Sequence, residues 1–279
     1  MQTIKFGALP ESTRQMTESL RTLKTNIQFC GDDVKTILFT SAAPNEGKST
    51  CVFNLARSLT ESDKKVVLID ADMRKSVFIS KYKAKVVGQG QILGLSHYLS
   101  GQKKLDEVLY DTTTPELNII FAGPSVPNPT EILSNHYFDD LMAYCRENYD
   151  YVLIDCPPMG AAIDAAVIGP KVDGAVLIVA QGQMPTRAVI DAKTQLENSG
   201  VRILGAVLSK AKVRYSGYGK YYGSYYGGYY GSYYGNYYGN DEERSSEGNV
   251  APLRDRDNKD RDSKDRDGRD RDRDKRQKR

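Results

Sequence analysis

Between residues 36 and 208 the hydrophobic positions fall into short continuous runs separated by longer segments of mixed character. Short apolar runs bounded by polar residues predict strands buried on both faces, as in a parallel sheet covered by helices. We expect such strands at 36–40, 65–70, 117–121, 151–155, 175–179 and 203–208. The segments that begin at Gly47 and at Pro185 have helical periodicity instead. This alternation predicts an α/β fold with a doubly wound, mostly parallel sheet.

Residues 12–29 predict an amphipathic helix ahead of the sheet. Its apolar residues recur at spacings of 4, 3 and 4 and form one stripe, which consists of Met16, Leu20, Leu23 and Ile27. A second stripe carries Glu18, Arg21 and Lys24. Charged stripes are usually solvated, and the alternative is an interface between subunits. The periodicity by itself leaves both interpretations open.

The first predicted strand leads into a loop that opens a helix. The loop has the pattern of a phosphate-binding loop, in which Lys48 meets the terminal phosphates and Ser49 meets magnesium. Unpaired backbone N–H groups at the helix start favour an anion there. The residues predicted to hold a nucleotide are Ala42, Ala43, Pro44, Asn45, Glu46, Gly47, Lys48, Ser49 and Thr50. The first glycine of the pattern is replaced by Ala42, and a chance Gly-Lys-Ser in a surface turn is the alternative.

Carboxylates follow two of the predicted buried strands. Asp70 ends one apolar run and is followed by Asp72, and Asp155 ends another. Residues two apart on a strand point to the same side, and ligands of open α/β sheets bind at the carboxyl ends of the strands. Acids beside a phosphate loop predict metal and proton chemistry. Acidic residues of a surface turn are the alternative.

The composition changes abruptly after Lys212. From Tyr221 to Asn240 the unit Tyr-Tyr-Gly-x repeats, and together with Tyr215 and Tyr218 this segment holds 12 of the 19 tyrosines. Regular glycines leave no continuous apolar face, so we predict disorder. Residues 241–279 contain 13 acidic and 14 basic residues and predict a solvated polyampholyte. The predicted divisions are therefore 1–212, 213–240 and 241–279.

The overall charge, the cysteine spacing and the hydropathy of the chain argue against several classes of protein. A net charge of +3 is too small to argue for a nucleic-acid partner, and none is expected. The four cysteines lack the spacing of a metal site. No apolar run approaches ~18 residues, and the N-terminus lacks the apolar core of a signal peptide. We therefore expect a cytoplasmic chain that reaches a membrane only through a partner.

The three motifs in this order give a family resemblance. Residues 42–49 match a Walker A motif, residues 67–74 an additional Walker A′ motif and residues 152–158 a Walker B motif. Over about residues 10–240 the chain resembles the bacterial tyrosine kinases (BY-kinases), in particular the separate cytoplasmic kinases of Gram-positive capsule and exopolysaccharide systems. That resemblance implies a P-loop fold like that of partitioning ATPases, with ATP and Mg²⁺ as cofactors.

The resemblance also implies roles for individual residues. Lys48 neutralises the transferring phosphate, and Thr50 supports the α-phosphate. Ser49 and Asp155 coordinate magnesium, Asp72 supports the metal, and Asp70 is the candidate acceptor of the tyrosine proton. Residues 18–24 resemble the family's E-x-x-R-x-x-R assembly motif, with Lys24 in place of its last arginine. Lysine lacks the bidentate fork of arginine.

Under this resemblance the tyrosine repeat is the segment that the kinase autophosphorylates in trans. The expected acceptors are Tyr215, Tyr218, Tyr221, Tyr222, Tyr225, Tyr226, Tyr229, Tyr230, Tyr233, Tyr234, Tyr237 and Tyr238. A flexible chain from Lys212 to Tyr238 has an r.m.s. span of ~30 Å, which reaches a neighbouring subunit. The implied partners are a transmembrane activator of the polysaccharide co-polymerase type, further copies in a ring, and a cognate tyrosine phosphatase. The implied role is control of polysaccharide synthesis and export from the inner face of the membrane.

Two other functions compete with this one. A partitioning or positioning ATPase shares the fold, but its signature lysine would occupy position 43, where this chain has Ala43. A non-enzymatic protein could use the Tyr-Gly segment as a cohesive binding element, since aromatic-glycine repeats self-associate. A eukaryotic-type protein kinase is excluded because neither His-Arg-Asp nor Asp-Phe-Gly occurs.

Overall fold

A computed structural model describes residues 1–9 and 13–211. Within them lies a nine-stranded sheet with the spatial order β4-β1-β5-β6-β3-β7-β2-β8-β9. The strands are β1 (Thr3–Phe6), β2 (Thr36–Ser41), β3 (Val66–Asp70), β4 (Ala84–Val86), β5 (Leu109–Thr112), β6 (Leu117–Ile120), β7 (Tyr151–Asp155), β8 (Gly174–Ala180) and β9 (Ile203–Ser209). Only β1–β4 and β5–β6 pair antiparallel. The prediction of a doubly wound, mostly parallel sheet is confirmed.

Helices cover both faces of this sheet and enclose two apolar cores. They are α1 (Arg14–Gln28), α2 (Lys48–Thr60), α3 (Phe78–Tyr82), α4 (Leu95–Leu99), α5 (Leu105–Val108), α6 (Pro129–Leu133), α7 (His136–Asn148), α8 (Asp164–Ile168) and α9 (Thr186–Asn198). The central strands β2, β3 and β7 are almost wholly buried, as expected for strands covered on both sides. None of the helices among the described residues is long and apolar enough to cross a bilayer.

Helix α1 has the predicted amphipathic character. Thr13 caps its first turn by accepting from the amide of Met16. Ile27 is buried, and Leu20 and Leu23 pack beside it against the core that contains α2. The predicted apolar stripe is therefore the face by which α1 attaches to the domain.

Three strands and four helices, namely α3, α5, α7 and α8, were not expected from the sequence pattern. Strands β1, β4 and β5 have three or four residues each and are only partly buried. They extend the sheet on the side of β6, where β1 pairs with β4 and β5. Short strands that bury one face produce a weak hydrophobic signal, so tertiary pairing decides whether they form.

The sheet brings the carboxyl ends of β3, β7 and β2 side by side. Asp70 is the register partner of Asp155, and Asp155 is in turn paired with Phe39 near the end of β2. The loops that follow these three strands are therefore neighbours. The predicted tyrosine-rich segment 213–240 and the extension 241–279 lie outside the described residues.

Candidate active site

The phosphate loop, residues 42–50, connects β2 to α2 as predicted. Helix α2 begins at Lys48, and its N-cap Gly47 has a φ of 86°, a left-handed conformation that glycine adopts without strain. The first turn of α2 therefore presents the unpaired N–H groups of Lys48, Ser49 and Thr50 at the mouth of the site. Such a helix start favours an anion.

Ala42 replaces the first glycine of the motif without strain. Ala42 is not among the non-glycine residues with a positive φ in the described part of the chain. Its methyl group is buried in the core, and its carbonyl accepts from the amide of Gly160 at 3.2 Å. A Cβ atom at position 160 would lie 2.7 Å from that carbonyl oxygen. The close approach therefore requires glycine at position 160 and leaves room for alanine at position 42.

The phosphate loop is braced by a carboxylate that the sequence pattern did not single out. The side chain of Glu46 is buried, and it accepts from the amide of Ala43 at 2.7 Å and from the amide of Ala180 at 3.1 Å. This arrangement ties the loop both to itself and to the end of β8. The glutamate occupies a variable position of the motif, so no local signal could have revealed its role.

The end of β9 supports the same loop from the other side. Ser209 donates a hydrogen bond to the carbonyl of Glu46. Lys210 donates to the carbonyl of Asn45 and, at 3.1 Å, to the side-chain oxygen of Gln183. The Ser-Lys pair is therefore part of the loop's scaffold in this structure. The two contacts with the phosphate loop join residues more than 160 positions apart in the chain.

Lys48 and Asp155 form an ion pair behind the phosphate loop. The Lys48 Nζ and the Asp155 Oδ1 are 2.7 Å apart, and both side chains are almost completely buried. Burial by itself lowers the pKa of Lys48, but the Asp155 carboxylate, with help from Asp72 and Asp70, raises it by more. The ammonium group therefore stays charged. The hydroxyl of Ser49 opposes the effect of burial on the pKa of Asp155, so three predicted site residues lie close together.

Asp70 lies beside Asp155 at the end of β3 and is fully buried. Burial, followed by repulsion from Asp155, raises the pKa of Asp70 to about 8 even though Ser76 donates a hydrogen bond to it. A carboxylate with a pKa near neutrality is a stronger proton acceptor than an exposed one. Asp70 therefore has a strongly perturbed pKa within the site, and its role as proton acceptor stays a prediction.

Asp72 is near Asp70 for a different reason from the one predicted. Strand β3 ends at Asp70, so the alternation of side chains along the strand does not extend to Asp72. Instead a turn folds back, in which the amide of Asp72 donates to Asp70 at 3.2 Å and the amide of Lys75 donates to Asp72 at 2.9 Å. Asp72 is partly exposed, whereas Asp70 is buried.

Arg74 fastens this second loop, residues 70–76, to two other segments. Its guanidinium donates to both oxygens of Asp164, at 3.0 and 3.1 Å. Asp164 is fully buried, and its Oδ1 also accepts from the hydroxyl of Thr130 at 2.8 Å. Sequence reasoning missed Asp164, because it lies nine residues after Asp155 in a segment without a motif.

The oxygen donors at the site suit magnesium. Ser49, Asp72 and Asp155 offer hydroxyl and carboxylate oxygens, which Mg²⁺ prefers. Among residues 1–9 and 13–211 no set of three or more His, Cys, Asp or Glu side chains forms a complete metal cage. Mg²⁺ in nucleotide sites uses one or two carboxylates, with waters and phosphate oxygens completing its shell. The donor set therefore fits a nucleotide-bound magnesium ion.

The predicted interface stripe of α1 makes contacts within the chain. Arg21 and Glu18 form an exposed ion pair of 2.8 Å, and Lys24 donates to the hydroxyl of Ser62 at 2.7 Å. Exposed pairs of this kind add little stability. The stripe remains accessible, and its role between subunits stays a prediction.

Comparisons with known proteins agree with the geometry of this site. Residues 34–187 match a family described as "AAA domain". The chain is 39% identical to tyrosine-protein kinase CpsD of Streptococcus agalactiae over 208 residues, 75% of this chain and 89% of the relative. It is 34% identical to tyrosine-protein kinase YwqD of Bacillus subtilis over 217 residues, 77% of this chain and 90% of the relative.

Two solved structures are similar to this chain, one a tyrosine kinase domain and one a protein with the same fold. The kinase domain of the Escherichia coli tyrosine kinase ETK matches with a TM-score of 0.63 and 31% identity, covering 72% of this chain and 79% of that one. The septum site-determining protein MinD of Pyrococcus horikoshii, complexed with Mg-ADP, matches with a TM-score of 0.53 at 22% identity. The match covers 63% of this chain and 70% of the MinD chain. The second likeness is one of fold alone.

Proposed function

This chain belongs to the bacterial tyrosine-protein kinases, and we propose that it uses ATP and Mg²⁺ to phosphorylate the tyrosines of its own C-terminal segment. The observation that carries the proposal is the meeting of Lys48, Asp155 and Asp70 behind the phosphate loop. In this arrangement Lys48 would be the cation that binds phosphate, Asp155 the oxygen donor to the metal, and Asp70 the base. The partitioning-type ATPase remains the competing function, and the likeness to MinD does not extend beyond the fold.

Residues 42–50 would hold the phosphates of ATP, with Lys48 on the terminal phosphate. Lys48 is bonded to Asp155 in this structure, so binding exchanges one anionic partner for another. Ser49, Asp72 and Asp155 would hold Mg²⁺. The metal ion would neutralise charge that develops on the phosphate oxygens. A buried lysine that is already charged needs no further protonation to do the same.

Asp70 would accept the proton of the attacking tyrosine. The phenol oxygen forms a bond to the terminal phosphorus, the bond to the ADP leaving oxygen breaks, and the phenolic proton passes to Asp70. The raised pKa of Asp70 makes its carboxylate a stronger base, and the reaction uses the ionised form, whose share increases as pH rises through about 8. Asp72, which accepts from the amide of Lys75 in the same turn, would assist the metal.

The proposed acceptors are the twelve tyrosines between Tyr215 and Tyr238, modified in trans between subunits. Each phosphate adds about −1.5 to −2 charges, so full modification adds roughly −18 to −24. The whole chain carries only +3. Repulsion between modified segments would disperse a ring formed through Glu18, Arg21 and Lys24, and a cognate phosphatase would restore it.

The proposed partner is the cytoplasmic part of a membrane-spanning activator of the polysaccharide co-polymerase type. One relative carries the name "putative tyrosine-protein kinase in cps region", and it comes from Klebsiella pneumoniae. We propose accordingly that the chain acts at the inner face of the membrane and regulates synthesis and export of capsular or exopolysaccharide.

Incubation of the full chain with labelled ATP and Mg²⁺ tests the kinase reaction. We expect label on tyrosine, and Lys48→Met should lower it by at least about 100-fold, since a single charge-stabilising donor contributes that much. Lys85→Met removes a lysine that is exposed on β4 and should leave labelling unchanged. Phosphate release without label on the protein would contradict the proposal and favour the ATPase switch. Light scattering on the same samples with the activator present tests dispersal, which identical masses before and after labelling would refute.

A further inference from the structure

A second lysine lies at the phosphate loop and has no place in the motifs described above. Lys81 belongs to α3, and its ammonium group donates a hydrogen bond to the hydroxyl of Thr50 in the first turn of α2. That turn is the anion-binding end of the helix. Lys81 therefore lies at the same helix end as the loop's own lysine, Lys48, which is buried against Asp155.

Helix α3 holds Lys81 in this position through its buried aromatic residues. The ring of Tyr82 packs on the ring of Phe53 in α2 with centroids 4.3 Å apart, and Phe78 packs edge-on against Phe53 at 6.2 Å. The hydroxyl of Tyr82 is 3.5 Å from the carbonyl oxygen of Ser49. The anchor joins α3 directly to α2, so the base of the Lys81 side chain is fixed relative to the phosphate loop.

Lys81 forms no ion pair with an acid among the described residues, since no carboxylate there lies within 4.0 Å of its ammonium nitrogen. Burial, together with the positive charges of Lys48 and Lys210, lowers the pKa of Lys81, although Asp155 opposes the change. Three lysines thus surround the loop while only one of them is paired with an acid. A polyanion at the loop would reverse this imbalance.

We propose that Lys81 is a nucleotide-binding residue that contacts the non-transferred phosphates of the bound nucleotide. Its ammonium has three N–H donors. One is used on Thr50, which leaves two for phosphate oxygens that reach the first turn of α2. The inference rests on the proposed function, because it requires that residues 42–50 bind a nucleotide. Under this inference the positive charge of Lys81, in helix α3 after the second loop, is added to the nucleotide site.

Calorimetric titration of the full chain with Mg-ADP tests the contact without relying on catalysis. Lys81→Ala should weaken ADP binding about tenfold, the contribution of one charge-assisted hydrogen bond. Lys81→Arg keeps the charge and should retain most of the affinity. Lys85→Ala is the matched control, since it removes the same charge from an exposed position on β4. The loss should shrink as salt is raised, because salt screens an exposed charge.

Three outcomes would overturn the inference: an unchanged affinity in Lys81→Ala, an equal loss in Lys85→Ala, or an equal loss in Lys81→Arg. Thermal denaturation without nucleotide shows whether Lys81→Ala still folds. A wild-type chain that binds no ADP would refute the proposed function itself. Binding by the wild type with no effect at Lys81 would refute only the present inference.

Discussion

The two loops that form the site are stabilised in different ways. The phosphate loop, residues 42–50, is braced by a network that includes three backbone amides as donors, those of Ala43, Ala180 and Gly160. The second loop, residues 70–76, is fastened mainly by its own ionisable side chains, in which Asp70 meets Ser76 and Arg74 meets Asp164. Both loops follow a fully buried strand.

Because of this difference, we expect the phosphate loop to be rigid and the conformation of the second loop to depend on charge. The backbone amides that donate in the phosphate loop do not change with pH or with the arrival of a cation, and Glu46 is the one ionisable acceptor among their partners. A loop fastened by carboxylates responds to both, because metal binding and proton transfer alter the charges that hold it. We infer that the phosphate loop is formed before the nucleotide arrives, whereas the geometry of the second loop depends on the charges of the site.

The largest expected effect comes from breaking the Arg74–Asp164 pair. Asp164→Ala leaves Arg74 without its bidentate partner and should cost about 2–3 kcal/mol, less than a fully buried pair because Arg74 is 39% exposed. Urea denaturation measures the loss, with the exposed Asp191→Ala in α9 as control. ADP affinity should change little, since the phosphate loop has other supports. A loss no greater than that of the control would show that the pair does not fasten the loop.

A smaller effect is expected in the phosphate loop from Glu46→Gln. The amide retains one good acceptor, so one of the amides of Ala43 and Ala180 loses its partner at a cost of about 1–2 kcal/mol. ADP affinity should fall as well, because the loop is no longer held in its binding shape. Denaturation and calorimetry measure the two changes, and the exposed Glu61→Gln is the control. Wild-type stability in Glu46→Gln would contradict the bracing role.

The third expected effect is a pH-dependent gain of stability from Asp70→Asn. The unfolded carboxyl has a pKa near ~3.9, whereas the folded one is raised to about 8 by burial and by Asp155. The folded chain therefore holds a proton that the unfolded chain releases, and wild-type stability falls as pH rises from about 4 to about 8. Asparagine has no such proton, so the variant should gain stability relative to the wild type as pH rises, and the gain should be larger at pH 9 than at pH 5.

Urea denaturation in EDTA at both pH values measures this difference. Asp191→Asn, which changes an exposed carboxylate, should show no pH-dependent gain. Equal pH dependence in wild type and Asp70→Asn would show that the charge of Asp70 does not strain the folded chain. The same variant should lose kinase activity, which would mark Asp70 as a residue kept for chemistry at the expense of stability.

Much of the fold could be predicted because its signals are local. Strands β2, β3 and β7 are continuous apolar runs, and a run of this kind can be recognised as a buried strand from its own residues. The residues predicted to take part in the reaction lie at or after the ends of these runs. Asp70 and Asp155 end β3 and β7, and Lys48 begins the helix that follows β2, so all three could be placed from the sequence. The edge strands β1, β4 and β5 could not, because three or four half-buried residues form a strand only when a partner is present.

The sequence by itself determined the α/β class, the order of the three motifs and the chemistry of the phosphate loop, since each depends on residues adjacent in the chain. Only the tertiary structure decided what holds that chemistry in place. Glu46 reaches Ala180 and Lys210 reaches Asn45 across more than 130 positions. Lys81 meets Thr50 because aromatic packing brings α3 onto α2. Contacts between distant segments arise from packing and topology, which no local pattern of residues encodes.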